Sequence, residues 1–313
     1  MSEFRSFSLS DVTDVDEDPE GFVRDVREAG DETETRSRVH CVRWSPQNND
    51  IVVMKEVHLW EEDTVTTDVH AIAARINQLQ SSTRGTASAS CFVQYLALHV
   101  DTPHHYQWLL SRCGPSLRTL LDRRTTLPCF NELCVKQILR CVLTALHHLH
   151  SVCAFVHGDV SLGNIFTRLS FQEDSTVSLG DLEVLAPLGA EPDGSPGTLL
   201  YTSPERLQGD SLPHSAQDDV WAFGIVAYQL LTGNSKAHPW CGDHTPISSP
   251  DSFWTLLDAM HQARDLASLA YLQETSLAES CPEALPVVAT CLAWEPRDRP
   301  SAAALLQHPW LSV

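Results

Sequence analysis

Between Val156 and Glu205 the chain strings three polar clusters on apolar runs: V-H-G-D-V-S-L-G-N-I-F, V-S-L-G-D-L-E and G-T-L-L-Y-T-S-P-E. Asp159 follows a helix-to-strand transition, Asn164 comes five residues later, and Asp181 ends the next apolar run. Two carboxylates and an amide arranged in this way can hold a divalent cation and orient a hydroxyl.

The flanking sequence sets the architecture. V-H-C-V-R-W, the turn S-P-Q-N-N-D and I-V-V-M-K-E-V predict a β-hairpin from about Val39 to Leu59. Val69, Ile72, Ile76 and Leu79 recur at helical spacing, Ser81 to Ser90 is a small-residue loop, and Cys91–Leu98 and Tyr106–Leu110 read as two more strands. After Arg112 the pattern turns helical. Helices are expected over Leu117–Leu121, Phe130–His150, Asp218–Thr232, Phe253–Leu266, Pro286–Leu292 and Ser301–Gln307. A β-rich first third before a helical remainder defines an α+β, bilobal fold. A small β-rich N-lobe spans 36–112 and a larger helical C-lobe 113–313, with the join near Ser111 to Gly114. Functional sites in such folds lie in the cleft between lobes.

Composition narrows the partners. A net charge of −20 and the lack of any basic patch argue against nucleic acid and anionic membranes. Residues 1–35, with Asp11, Asp14, Asp16, Glu17, Asp18 and Glu20, read as a solvated, poorly ordered acidic tail, or else as a docking segment for a basic partner. No run resembles a signal peptide or reaches the ~18–20 apolar residues of a membrane span. The ten cysteines include no C-x-x-C pair, so zinc is not expected and free thiols point to a reducing, intracellular and cytoplasmic compartment. His147, His148 and His150 read as the end of a helix rather than as metal ligands.

Lys55 ends an apolar strand, I-V-V-M-K, in a chain with only three lysines against eighteen arginines. A slim ammonium reaches between phosphates where a planar guanidinium fits poorly. Taken with the clusters above, the chain resembles the protein kinase family. Lys55 matches the lysine of V-A-I-K, Asp159 and Asn164 match H-R-D-L-x-x-x-N, and Asp181 matches D-F-G. The resemblance implies that Asp159 orients the acceptor hydroxyl as base, that Lys55 grips the phosphates of ATP, and that Asn164 and Asp181 hold Mg²⁺. It assigns nucleotide contacts to Lys55, Leu110, Ser111, Cys113 and Asp181, and implies ATP and a protein substrate or regulated protein as partners. Cys113-Gly114-Pro115-Ser116-Leu117 resembles the hinge, closest to casein kinases. Gly197-Thr198, Tyr201 and Ser203-Pro204-Glu205 resemble the end of a Ser/Thr-type activation segment. Asp218 to Gly224 resembles the D-x-W-x-x-G helix, and Pro296 to Pro300 the P-x-x-R-P stretch. A buried structural pair of Glu205 with Arg299 follows. The resemblance covers residues 36 to 313.

The chain departs from the family at several positions. Where phosphate-cradling glycines belong stand Glu32, Glu34 and Ser37, or Thr35, Ser37 and His40. The expected helix offers Lys55 only Ala71, Ala74 and Arg75, not glutamate. Glu61 and Glu62 come too early, which leaves Glu56 and Asp68 as candidate partners in space. Gly158 replaces an arginine, Ser161 a lysine, and Leu182-Glu183 replaces Phe-Gly. Glu183 either binds a second cation or stiffens its loop. Three readings compete: a divergent Ser/Thr protein kinase, a pseudokinase scaffold or regulator, and a small-molecule phosphotransferase, whose loop also reads H-G-D-x-x-x-x-N. The S-P-E stretch and the D-x-W-x-x-G helix, which build a peptide-docking lobe, weigh against the third. Gly163 stands where tyrosine kinases carry an arginine, so tyrosine specificity is not expected.

Overall fold

A computed structural model describes residues 4–15, 36–47, 50–59, 68–123, 131–168, 176–191, 198–208, 212–240, 250–262, 279 and 281–312. Its first lobe is a six-stranded sheet. β1 (Arg5–Ser6), β2 (Val12–Asp14), β3 (Arg36–Trp44), β4 (Asp50–His58), β5 (Tyr95–Thr102) and β6 (His105–Leu110) lie in the order β1-β5-β6-β4-β3-β2. The hairpin expected from the sequence is β3–β4, paired from Arg36↔His58 to Trp44↔Asp50. Alternation gives this sheet two faces. Val39, Cys41, Val53, Val57, Tyr106 and Trp108 enter the main core, while Val42, Trp44, Val52, Met54, Ala97 and Leu109 form a second cluster on the opposite side.

Residues 4–15, part of the segment read as an acidic tail, lie against this sheet. Phe7 is buried in the second cluster, Phe4 packs edge-on to Trp108 at 5.2 Å, and β1 and β2 pair with β5 and β3. Within residues 4–15, Phe4 and Phe7 precede Asp11 and Asp14, and these two aromatics anchor the stretch to the sheet. Asp16, Glu17, Asp18 and Glu20 fall outside the described residues, as do Glu32, Glu34 and Thr35 of the missing glycine loop.

Helix α1 (Val69–Thr83) starts at Asp68, whose carboxylate accepts from His70 N (2.9 Å), and buries Val69, Ile72, Ala73, Ile76 and Leu79. The segment from Ser111 to Pro115 leaves β6 without regular structure and enters α2 (Leu117–Asp122). Here the backbones come close: Gly114 N donates to Thr167 O (2.8 Å), and a Cβ at Gly114 would sit 2.5 Å from Thr167 Oγ1. Glycine is the residue that fits.

The second lobe is helical. α3 (Glu132–His148) is capped by Asn131 and ends in a π turn over Leu149–Cys153. The short strands β7 (Phe155–Val156), β8 (Ile165–Thr167), β9 (Val177–Leu179) and β10 (Ala186–Pro187) follow, and then α4 (Pro204–Gln208). α5 (Ala216–Thr232) is buried from Asp219 through Leu230; Ser215 and Asp218 close a capping box at its start, and Gly233 (φ 64°) ends it. Beyond it lie α6 (Pro250–Gln262), α7 (Leu285–Cys291) and α8 (Ala302–Leu306). The expected Glu205–Arg299 pair is present and bidentate, at 2.5 and 2.7 Å. Among the described residues no helix is long and apolar enough to cross a membrane.

Candidate active site

Strand pairing converges three of the four expected residues. β8 and β9 pair antiparallel with Ile165 opposite Leu179, which puts Asn164 and Asp181 at the same end of one hairpin, and Gly180 N donates to Asn164 O (2.8 Å). Gly180 is required there. A Cβ would lie 2.7 Å from the Phe166 ring and 3.1 Å from Val93. Asp159 lies on the loop between β7 and β8. Its Oδ2 accepts from Asn164 Nδ2 (2.7 Å) and its Oδ1 from Thr198 N (2.9 Å). Both oxygens are therefore oriented by donors on either side.

Two motif residues to which the sequence reading gave no role, Asp219 and His157, hold this loop. Asp219, buried at the start of α5, accepts from His157 N (2.7 Å), Gly158 N (2.9 Å) and His150 Nε2 (2.8 Å). Burial opposes its charge, but the bonds and the His150 and His157 rings hold its carboxyl below the ordinary range. His157, fully buried, accepts from Asp159 N at Nδ1 (3.2 Å), so its Nε2–H donates to Gly180 O (2.8 Å). One imidazole thus ties the Asp159 loop to the residue before Asp181. Gly158, where the family resemblance expects arginine, has φ +83°, a conformation glycine adopts without strain.

Lys55 lies on β4, across the cleft. Its Nζ is 2.5 Å from Asp181 Oδ1 and 3.2 Å from Glu183 Oε1. Burial alone would push this ammonium down, but the two carboxylates override it and hold it above its ordinary value. For Asp181 burial likewise works toward a higher value, and Lys55 brings it down to about 2. Glu183 is pushed up, by burial first and by Asp181 second. Its Oε2 accepts from Tyr95 OH, and that same phenol oxygen accepts from Leu182 N (3.0 Å). Asp181 itself has φ 55°, a left-handed turn that side chains with a Cβ enter at a cost and that clusters at functional sites.

The two candidate partners for Lys55 named from the sequence are excluded. Glu56 alternates to the opposite face of the sheet, where it contacts His105 and Gln107, and Asp68 is spent capping α1. The second carboxylate comes instead from Glu183.

Lys55, Leu110, Asn164 and Asp181 line one cavity together with Val39, Val93, Tyr95, Gly163, Phe166 and Gly180. Its volume is about 60 Å³. Ser111 and Cys113 lie outside this lining. Ser111 exchanges bonds with Gln94 (N to O, 2.8 Å; Oγ from N, 3.2 Å), and Cys113 is buried.

A sheet lobe and a helical lobe with a lysine, two aspartates and an asparagine meeting between them define a phosphotransferase-type fold. The chain belongs to the protein kinase domain family, which matches residues 39–311. Among its relatives is mitogen-activated protein kinase kinase 5 of Leishmania mexicana, 27% identical over 174 residues, covering 56% of this chain and 31% of that one. Inactive serine/threonine-protein kinase PLK5 of Mus musculus is 30% identical over 225 residues, 70% of this chain and 32% of that one. Mitogen-activated protein kinase kinase 3 of Arabidopsis thaliana is 24% identical over 273 residues, 85% and 45%. The chain thus spans less than half the length of each.

Proposed function

We propose that the chain is a divergent Ser/Thr protein kinase that transfers the ATP γ-phosphate to protein hydroxyls. The observation that carries this reading is the cluster of Lys55, Asp181 and Glu183, in which Nζ lies within 3.2 Å of both carboxylates. Positioning supplies most of the catalysis in phosphoryl transfer, and a lysine without an anionic partner is poorly positioned. Glu183, locked by Tyr95, takes the place of the glutamate that α1 lacks.

The donor set suits Mg²⁺. Asn164 Nδ2 is engaged by Asp159, which leaves the amide oxygen free to serve as a ligand beside the Asp181 carboxylate, and hard oxygens of this kind are what Mg²⁺ takes. Bound there, Mg²⁺ would neutralise phosphate charge. Asp159 orients the acceptor hydroxyl and receives its proton on a carboxylate oxygen. Asn164 and Thr198 fix that carboxylate, and Lys55 holds the phosphates.

A second reading, a pseudokinase that serves as scaffold or regulator, is favoured by the cavity. Its ~60 Å³ compares with roughly 300–1,000 Å³ for pockets that bury ligands of nucleotide size. Val39, Leu110 and Phe166 line it.

Incubation with γ-labelled ATP, Mg²⁺ and generic acceptor proteins tests the proposal. Label transfer by the wild type is expected to fall on the order of 10²–10⁴-fold in Asp159→Asn, with an unchanged melting temperature. Absence of transfer by the wild type, with or without a rise in melting temperature on adding Mg·ATP, would overturn it in favour of the second reading.

A further inference from the structure

The outer face of the sheet carries a second polar cluster, separate from the cleft. The alternation that turns Lys55 and Val57 inward turns Glu56 and His58 outward, and strand register sets His58 opposite His105 and Glu56 opposite Gln107. His105 Nε2 lies 3.0 Å from Glu56 Oε1, and His58 Nε2 lies 3.5 Å from Glu56 Oε2. The two imidazoles stack with centroids 4.1 Å apart and planes 19° apart, which brings both Nε2 atoms to the same carboxylate. One ligand atom from each of the three residues lies within 4.8 Å of the others. A tetrahedral ion bound at ~2.1 Å holds its ligand atoms about 3.4 Å apart, a spacing the 3.0 and 3.5 Å Glu56–imidazole distances approach.

Two further observations point to a cation. Asp101 Oδ2 is 3.2 Å from His105 Nδ1, the carboxylate–histidine arrangement that turns the other ring nitrogen toward a metal. With the Nδ1 proton directed to Asp101, the His105 Nε2 lone pair points toward the Glu56 carboxylate, where a cation could bridge them. The second is Gln107, which is 1% exposed and whose Oε1 has no hydrogen-bond partner, while its Nε2 sits 2.9 Å from His105 Nε2 and 3.4 Å from Glu56 Oε1. A half-turn of this amide directs its carbonyl oxygen into the cluster. Arg38, exposed and opposite Glu56 on β3, opposes a cation, and the Glu56 and Asp101 carboxylates offset it.

We propose that Glu56, His58 and His105 bind a divalent transition-metal ion of the zinc class on the outer face of the sheet. Two imidazoles and one carboxylate are a borderline donor set that suits Zn²⁺ and Co²⁺, whereas Mg²⁺ and Ca²⁺ take oxygen ligands. Three protein ligands leave a fourth position for water or for the Gln107 carbonyl. The ion would clamp β4 to β6 one residue from Lys55, and the site does not depend on the nucleotide reading of the cleft.

The test is titration of the metal-free protein with ZnCl₂ by calorimetry and with CoCl₂ by visible absorption. One equivalent of Co²⁺ is expected to give a tetrahedral d–d spectrum, and Zn²⁺ to raise the melting temperature. His58 is 44% exposed, so His58→Asn should fold as the wild type does, which its metal-free melting temperature checks. Its affinity for Zn²⁺ should fall on the order of 100-fold or more, and Glu56→Gln should behave likewise. His147→Asn, outside the cluster, should bind as the wild type does. Wild type that takes up no ion, or equal affinity in His58→Asn and wild type, would leave a hydrogen-bonded His–Glu pair and overturn the proposal.

Discussion

Replacing Arg299 by methionine is expected to lower the unfolding free energy by about 3–5 kcal/mol, the cost of stranding one member of a buried ion pair. The Arg299 side chain is fully buried. It donates to both oxygens of Glu205 (2.5 and 2.7 Å) and to the carbonyls of Ala293 (2.8 Å), Gln217 (3.1 Å) and Trp294 (3.1 Å), with its guanidinium 4.8 Å from the Trp221 ring. Methionine keeps the stem's packing but none of these five bonds, and it leaves Glu205 charged against α5. The double variant Arg299→Met/Glu205→Leu should recover part of the loss, because it removes the stranded charge. Urea denaturation with an unchanged m-value checks both. A loss under about 1 kcal/mol in the single variant would mean that the pair is solvated and structurally minor.

Lys55→Met combines a catalytic and a structural effect, and pH separates them. Without the ammonium, phosphate transfer should drop on the order of 10²-fold or more. Stability should also drop, by about 3 kcal/mol at neutral pH, because Asp181 and Glu183 then face one another across a buried site. In the wild type Asp181 is held at about 2, below its unfolded value, so its contribution is present above pH ~4 and lost as pH falls toward 2. Glu183 is raised, and its charge costs more as pH rises past the ordinary glutamate range. The variant loses the first contribution and enlarges the second. Its deficit should therefore be small only near pH 2, open as pH rises through about 3 to 5, and stay open at pH 7. Thermal melts across that range read it directly; a deficit independent of pH would mean that Lys55 acts through packing of its stem alone.

The four polar residues that meet at the cleft were legible because they sit within short local patterns. Asp159 and Asn164 share one loop, Asp181 ends the paired strand, and Lys55 is a charge in an otherwise apolar strand. The Glu205–Arg299 pair was legible from two motifs. The partner of Lys55 was not. Its carboxylate comes from the loop after β9 rather than from α1, and Tyr95, which locks it, reads as an ordinary core tyrosine of a strand. His157 and Asp219 were visible as motif members, but their bonds to the Asp159 loop and to Gly180 are tertiary. Acidic composition hid the anchoring role of Phe4 and Phe7. Strand alternation places Glu56 and His58 on one face, but bringing His105 to them needs the β4–β6 register.

Phosphate transfer measured side by side for the wild type and Glu183→Gln tests the assignment of Glu183 most directly. Glutamine preserves the shape and the bond from Tyr95 but removes the charge that holds Lys55. Transfer by the wild type, with kcat/KM lower on the order of 10²-fold in Glu183→Gln at a melting temperature within a few degrees, is the predicted result. Equal kcat/KM in the two proteins, or no transfer by the wild type, would contradict it.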